Sequence, residues 1–189
     1  EASAIKDAHR NLEALAFGAD AARRLSGAGK RAFARGDMHA AANLHRRAVA
    51  LLDESDPERL ALLPELGEIL MELGDFAEAR TVLAQAQAAA ERATNRRIAA
   101  SAQLLRMRVR LYSAEPGDWS DETLRIADSA IPLFESEGAH SELARAWRLI
   151  GLVHGSAARY GQSTYAVSRS MVHARLAGDE RLISRNAMG

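Results

Sequence analysis

Gly27-Ala28-Gly29-Lys30 is the stretch of this 189-residue chain that comes nearest to a phosphate-binding loop, in which glycine amides cradle phosphates and a lysine neutralises them. A P-loop, however, needs Gly where Arg24 stands and Ser or Thr where Arg31 stands. The stretch also falls inside an amphipathic helical pattern whose amides already bond along the helix, so helix packing is the better reading. Ser3-x-x-Lys6 has the spacing of a serine–lysine nucleophile pair, but a match this short reads as an exposed helix start. The six histidines (His9, His39, His45, His140, His154 and His173) include no HExxH-like pair, which makes each a packing or surface residue rather than a metal ligand. His154 is expected to pack in part between helices. With no cysteine there is no thiolate nucleophile and no disulfide framework, and a reducing cytoplasm is the compatible compartment. The sequence therefore predicts no catalytic, cofactor-binding or metal residue and no enzyme. What remains is recognition by charge and shape.

The elements that would carry such recognition are repeated. Gly36-Asp37-Met38-x-x-Ala41 returns 38 residues later as Gly74-Asp75-Phe76-x-x-Ala79, with a degenerate copy at Arg159-Tyr160-x-x-Ser163. That interval is close to the ~34-residue period of helix-turn-helix arrays, whose units each leave an apolar face for a neighbour to cover. Ala, Leu, Arg and Glu fill the segments between turns and β-branched runs are absent, so helices dominate. The expected fold is all-α, a right-handed α-solenoid of about four helix pairs at 22–56, 60–93, 95–137 and 144–177. A capping helix is expected within 1–20, with Ile5, Ala8, Leu12, Leu15 and Ala16 on one face. The third pair is irregular, with a loop holding Pro116, Gly117 and Trp119, and Pro132 is expected to kink its second helix. Residues 179–189 read as the start of a further helix, and the whole as a piece of something longer. Leu182 and Ile183 mark an apolar stripe, to be hidden by folding back or by weak homodimerisation.

Each unit follows the pattern W-x₂-L-G-x₂-Y then A-x₃-F. Leu25-x-x-Ala28-Gly29-x-x-Ala32 precedes Ala41-x-x-x-His45-x-x-Ala48; Leu63-x-x-Leu66-Gly67-x-x-Leu70 precedes Ala79-x-x-x-Leu83-x-x-Ala86; and Trp147-x-x-Ile150-Gly151-x-x-His154 precedes Ser163-x-x-x-Val167. Gly29, Gly67 and Gly151 would let helices approach closely, while Gly36 and Gly74 end helices at positive φ and the aspartates after them cap the next ones.

Charge is balanced at 25 basic and 25 acidic residues, which excludes a general attraction to nucleic acid or membrane. Locally it is polarised: residues 60–93 hold six acids against two arginines, a net −4, and residues 144–189 hold seven arginines against two acids, a net +5. If the first helix of each unit lines a concave surface, that surface presents Arg23, Ser26 and Lys30, then Glu68 and Glu72, then Arg96, Gln103 and Arg106, then Arg145 and Arg148. Forked guanidiniums suit carboxylates and phosphates, so Arg106, Arg145 and Arg148 form the expected contact with an acidic peptide or anionic ligand. Sequence-specific RNA reading is disfavoured because stacking aromatics are missing from those faces. No apolar run reaches the ~18 residues of a membrane span.

The run from Gly29-Lys30-Arg31-Ala32-Phe33 through Gly36-Asp37-Met38 to Arg46-Arg47-Ala48-Val49-x-Leu51-Leu52 resembles the tetratricopeptide region of large bacterial, especially actinobacterial, signalling ATPases. His9-Arg10-Asn11-Leu12-Glu13, Ala144-Arg145-Ala146-Trp147-Arg148-Leu149-Ile150-Gly151 and His173-Ala174-Arg175 are similar too. In those proteins an AAA-type ATPase module, often with a nucleotide-cyclase-like domain or a helix-turn-helix regulator, precedes such repeats. The resemblance implies a cytoplasmic, non-catalytic interaction or sensing arm in signalling or transcription regulation, with no cofactor. It implies a protein or peptide partner, the parent chain's own ATPase module among the possibilities. A freestanding peptide-binding scaffold and a sensor of a small-molecule effector are the alternatives.

Overall fold

The computed structural model describes residues 2–113 and 119–187, with side chains from residue 17 onward. Pro116, Gly117 and the side chains of the proposed 3–18 apolar face, of the Ser3/Lys6 pair and of His9 therefore lie outside the described residues. Among the described residues there are nine α-helices and no strand: α1 (Ala2–Ala34), α2 (Met38–Ala50), α3 (Pro57–Glu72), α4 (Phe76–Arg92), α5 (Arg96–Tyr112), α6 (Ser120–Ser136), α7 (His140–Ser156), α8 (Tyr160–Ala177) and α9 (Glu180–Ala187).

One boundary, at the start of the chain, differs from the sequence reading. A separate capping helix over 1–20 is not present; α1 runs unbroken from Ala2 to Ala34. The only interruptions available are Gly18, Gly27 and Gly29, each costing about 1 kcal/mol against Ala, and the strong helix formers around them carry the helix through. At the other end, residues 180–187 close into a helix of their own, α9, after Gly178 turns left-handed at φ 65° and Asp179 accepts from the Leu182 amide at 2.9 Å. Proline sits inside two helices, at Pro132 in α6 as read and at Pro64 in α3, which the repeat pattern masked.

Helix starts share one chemistry at α2, α3, α4, α5 and α9, whereas α6, α7 and α8 begin without a side-chain cap. Asp37, Asp56 and Asn95 accept from Ala40, Glu58 and Ile98 amides at 3.0, 2.8 and 3.1 Å, and Asp75 accepts from Glu78 at 3.2 Å, so with Asp179 at α9 five helix starts have a donor satisfied by a side chain. The chain leaves the preceding helices through positive φ at Gly36, Gly74 and Gly138, but also at Thr94 and Ala158, where a Cβ makes that geometry costly.

Contacts divide the chain into two compact units, Glu1–Ala89 and Ala90–Gly189. In the first, α1 packs on α2 and α2 on α3, around Ala32, Ala41, Ala42 and Ile69. Small residues there bring backbones together: a Cβ placed on Gly67 of α3 would lie 2.5 Å from Leu83 Cδ2 of α4, and one on Gly29 of α1 would lie 2.5 Å from His45 Nδ1 of α2. Ala41, Ala48, Ala79 and Ala86 are each 0% exposed at the same crossings.

In the second unit α5 packs on α6, α6 on α7, α7 on α8 and α8 on α9. Its core gathers Leu104, Met107, Ala127, Phe134, Leu143 and Leu149, with Trp147 partly buried against it. A Cβ on Gly151 would meet Val167 Cγ2 at 2.9 Å. A smaller cluster of Ala144, Ala174 and Leu182, with Ile183 against it, seats α9 on α7 and α8.

Candidate functional site

Three of the proposed groove residues of the first unit, Arg23, Ser26 and Lys30, are engaged with acidic side chains outside the proposed set. Lys30 Nζ lies 3.1 Å from Glu65 Oε1, and Glu65 Oε2 lies 3.2 Å from Nε2 of His45, whose Nδ1 donates to the Ala41 carbonyl at 2.9 Å. His45 is 1% exposed, so this triad anchors the α1–α2–α3 packing. Burial pushes the Glu65 carboxyl up, but the His45 hydrogen bond and the Lys30 charge outweigh it and hold it below the usual value of 4.5. Arg23, an exposed residue, reaches Asp20 at 3.4 Å, and Ser26 donates to Glu58 at 3.3 Å. Glu68 and Glu72 are half-buried on α3.

The second unit concentrates the guanidiniums. Arg96 is exposed at the start of α5, Gln103 and Arg106 are half-buried further along it, and Arg145 and Arg148 are half-buried on α7. Arg108, which the spacing argument passed over, is only 6% exposed and lines the same small crevice between α5 and α7 as Arg145. Arg148 does not face open solvent: its Nη1 donates to Asn186 Oδ1 at 2.9 Å and to the Arg185 carbonyl at 3.3 Å, both on α9. Asn186 in turn donates to Ser170 Oγ at 2.8 Å, and Ser170 donates to the Ala144 carbonyl at 2.7 Å. Arg145 lies 4.0 Å from Asp179, the α9 cap. Burial, with the nearby Arg185 and Arg108 charges, lowers the Arg148 pKa against an opposing pull from Tyr112. Of the arginines that sequence grouped together, Arg145 and Arg148 sit on α7 and reach the α9 segment, while Arg106 lies on α5. No spacing rule signals this, because Arg148 and Asn186 are 38 residues apart.

Histidines are less scattered than their positions suggest. His140 of α7 and His173 of α8 stack with centroids 5.4 Å apart and Nδ1 atoms 3.2 Å apart. Burial first, then Arg169 and His140, push the His173 pKa down. Among the described residues no group of three or more His, Cys, Asp or Glu side chains could hold a metal ion, and no helix is long and apolar enough to cross a membrane.

A cavity of about 480 Å³ opens between α6, α7 and α8. Leu124, Ile150 and Ala166 make its apolar wall, Trp147 and Tyr165 an aromatic corner with rings 5.9 Å apart and nearly perpendicular, and Asp128, His154 and Gln162 its polar groups. Trp147, read from sequence as a repeat signature, is therefore also a wall of this cavity.

No family model matches the chain, and no curated protein matches it. Solved structures do. It is similar to aspartyl phosphate phosphatase F from Bacillus subtilis, with TM-score 0.63, 15% identity, and coverage of 88% of this chain and 43% of that one. The apo quorum sensor NprR from B. thuringiensis matches with TM-score 0.61 and 24% identity over 80% of this chain and 42% of that one. BtubC from P. vanneervenii matches with TM-score 0.59 and 17% identity over 84% of this chain and 65% of that one. The chain thus spans well under half the length of the first two and just under two thirds of the third. At these identities the likeness shows the fold: an all-α solenoid of tetratricopeptide-like helix pairs.

Proposed function

We propose that the chain is a non-catalytic interaction module whose second unit engages an acidic segment of a protein or peptide partner. The observation that carries this is the meeting of Arg108 and Arg145 in the crevice between α5 and α7, with Arg148 close enough to Arg108 to feel its charge and Arg96 and Arg106 also on α5, within a chain whose overall charge is zero. Arginine forks recognise carboxylates in pairs, and half-burial strengthens each such bond over its worth in water. A fold shared with a named quorum sensor supports a sensing or interaction role only at the level of architecture. The resemblance of the Gly29 to Leu52 run supports placing the module as the regulatory arm of a larger signalling ATPase or transcription regulator, working in the cytoplasm. The coding sequence on either side tests that placement, and a neighbouring region with no ATPase or regulator module overturns it.

The binding reading is tested with a fluorescein-labelled, glutamate-rich peptide and its lysine-rich counterpart. Anisotropy is expected to rise for the acidic peptide only, to weaken with salt, and to fall about tenfold in affinity in Arg96→Glu plus Arg106→Glu, which leaves the α9 contacts of Arg148 intact. Equal binding of both peptides, or an unchanged affinity in the double variant, overturns it.

A further inference from the structure

We propose that the cavity between α6, α7 and α8 is a binding site for a small organic cation carrying an apolar, ring-sized body, distinct from the arginine face. Its volume, about 480 Å³, falls in the ~300–1,000 Å³ range of sites that enclose small molecules. The lining has the matching composition: apolar Leu124, Ile150 and Ala166, an aromatic corner, and few polar groups.

Charge selects the cation. Of the residues lining the cavity only Asp128 carries a carboxylate, and burial and Arg159 push the His154 pKa down against the pull of Asp128. Asp128 makes no hydrogen bond or ion pair among the described residues. Two arginines border the site, Arg169, which lies 3.8 Å from Glu135 with its guanidinium 5.3 Å from the Trp147 ring centroid, and Arg159, which acts on His154, so Asp128 supplies the one carboxylate of the lining. The arginine over Trp147 also shows that this ring already serves as a partner for a cation. An ammonium group at Asp128 with its apolar body against Tyr165, Trp147 and Ile150 would meet each surface with its complement. The wall holds one further unpartnered group that can accept from an ammonium, the buried His154 Nδ1, while the unpartnered Trp147 Nε1 can only donate and would serve an acceptor on the ligand body. The lining is open at Gly161, where a Cβ built on the backbone meets nothing within 4 Å.

The probe is 2-phenylethylamine, with 3-phenylpropanoate as its anionic counterpart, titrated into the chain in a Trp119→Phe background so that Trp147 alone reports. The amine is expected to give a saturable fluorescence change with a midpoint below about 1 mM, and the acid to bind at least about tenfold more weakly. Asp128→Asn is expected to erase that preference. Gly161→Phe, which fills that opening from an unstrained backbone position, is expected to abolish the response while leaving the helical circular dichroism and melting temperature unchanged; it decides the matter if Asp128→Asn does not fold. No saturable response to the amine, equal binding of amine and acid, or an undiminished response in folded Gly161→Phe overturns the proposal.

Discussion

At the scale of single residues, the Lys30–Glu65–His45 triad shows how a charge intended for a ligand becomes part of the scaffold. Lys30 and Glu65 are both about half exposed, so their ion pair alone contributes little, but Glu65 also bonds a histidine that is 1% exposed and cannot exchange that bond for water. Because Glu65 has a lowered folded pKa, it contributes stability that is fully present above its unfolded value, near 4.5, and is lost as pH falls through the folded pKa. Glu65→Gln is therefore expected to flatten the acid limb of the stability curve. Urea midpoints measured at about pH 6 and about pH 3.5 should differ less in the variant than in the natural chain, and an unchanged difference would show that Glu65 carries no linkage. Lys30 was legible in the sequence as a face residue of the first helix, whereas the acids expected on the next face were Glu68 and Glu72 rather than Glu65. The histidine partner of Glu65 was not legible, since His45 occupies a repeat position usually filled by an apolar ring and its bond needs the third dimension.

At the scale of elements, helices and their ends were readable because they depend on local chemistry. Gly-Asp pairs at 36–37 and 74–75 stop one helix by a left-handed residue and start the next by a carboxylate, and both halves of that device lie within two residues. Thr94 and Ala158 make the same turn without glycine, so only the periodicity betrayed them. The merging of the expected cap with α1 was missed for the opposite reason, since glycine inside a helix weakens it without ending it. Short α9 depends on tertiary contacts, because eight residues do not hold a helix in water by themselves. Its anchors are Leu182, 5% exposed against Ala144 and Ala174, and the Arg148–Asn186–Ser170 chain of hydrogen bonds. Leu182→Glu plus Ile183→Glu is expected to release α9 and to cost about 2–4 kcal/mol, since it removes a buried leucine and would bury a charge in its place. Light scattering coupled to gel filtration, read beside urea unfolding, separates this from association: a monomer with unaltered stability in the double variant would refute the seating of α9.

At the scale of the whole chain, repeat architecture and division into two units bear on how stability is shared. In arrays of this kind each unit is held by its own packing and by its nearest neighbours, so damage to one crossing need not spread evenly. Gly67 offers the test, because leucine there would place atoms where Leu83 already stands, 2.5 Å from the would-be Cβ, in the interior of the first unit. Leu83 is 0% exposed and cannot swing into solvent, so α3 and α4 must move apart, at about 1–3 kcal/mol. Amide exchange followed by mass spectrometry is expected to show faster exchange across α2, α3 and α4 in Gly67→Leu, with α6, α7 and α8 keeping most of their protection. The reciprocal variant Gly151→Leu, which meets Val167 Cγ2 at 2.9 Å, is expected to invert the pattern. Uniform loss of protection over residues 17–187 in either variant would mean that the chain unfolds as one cooperative body and that the two contact units have no energetic counterpart.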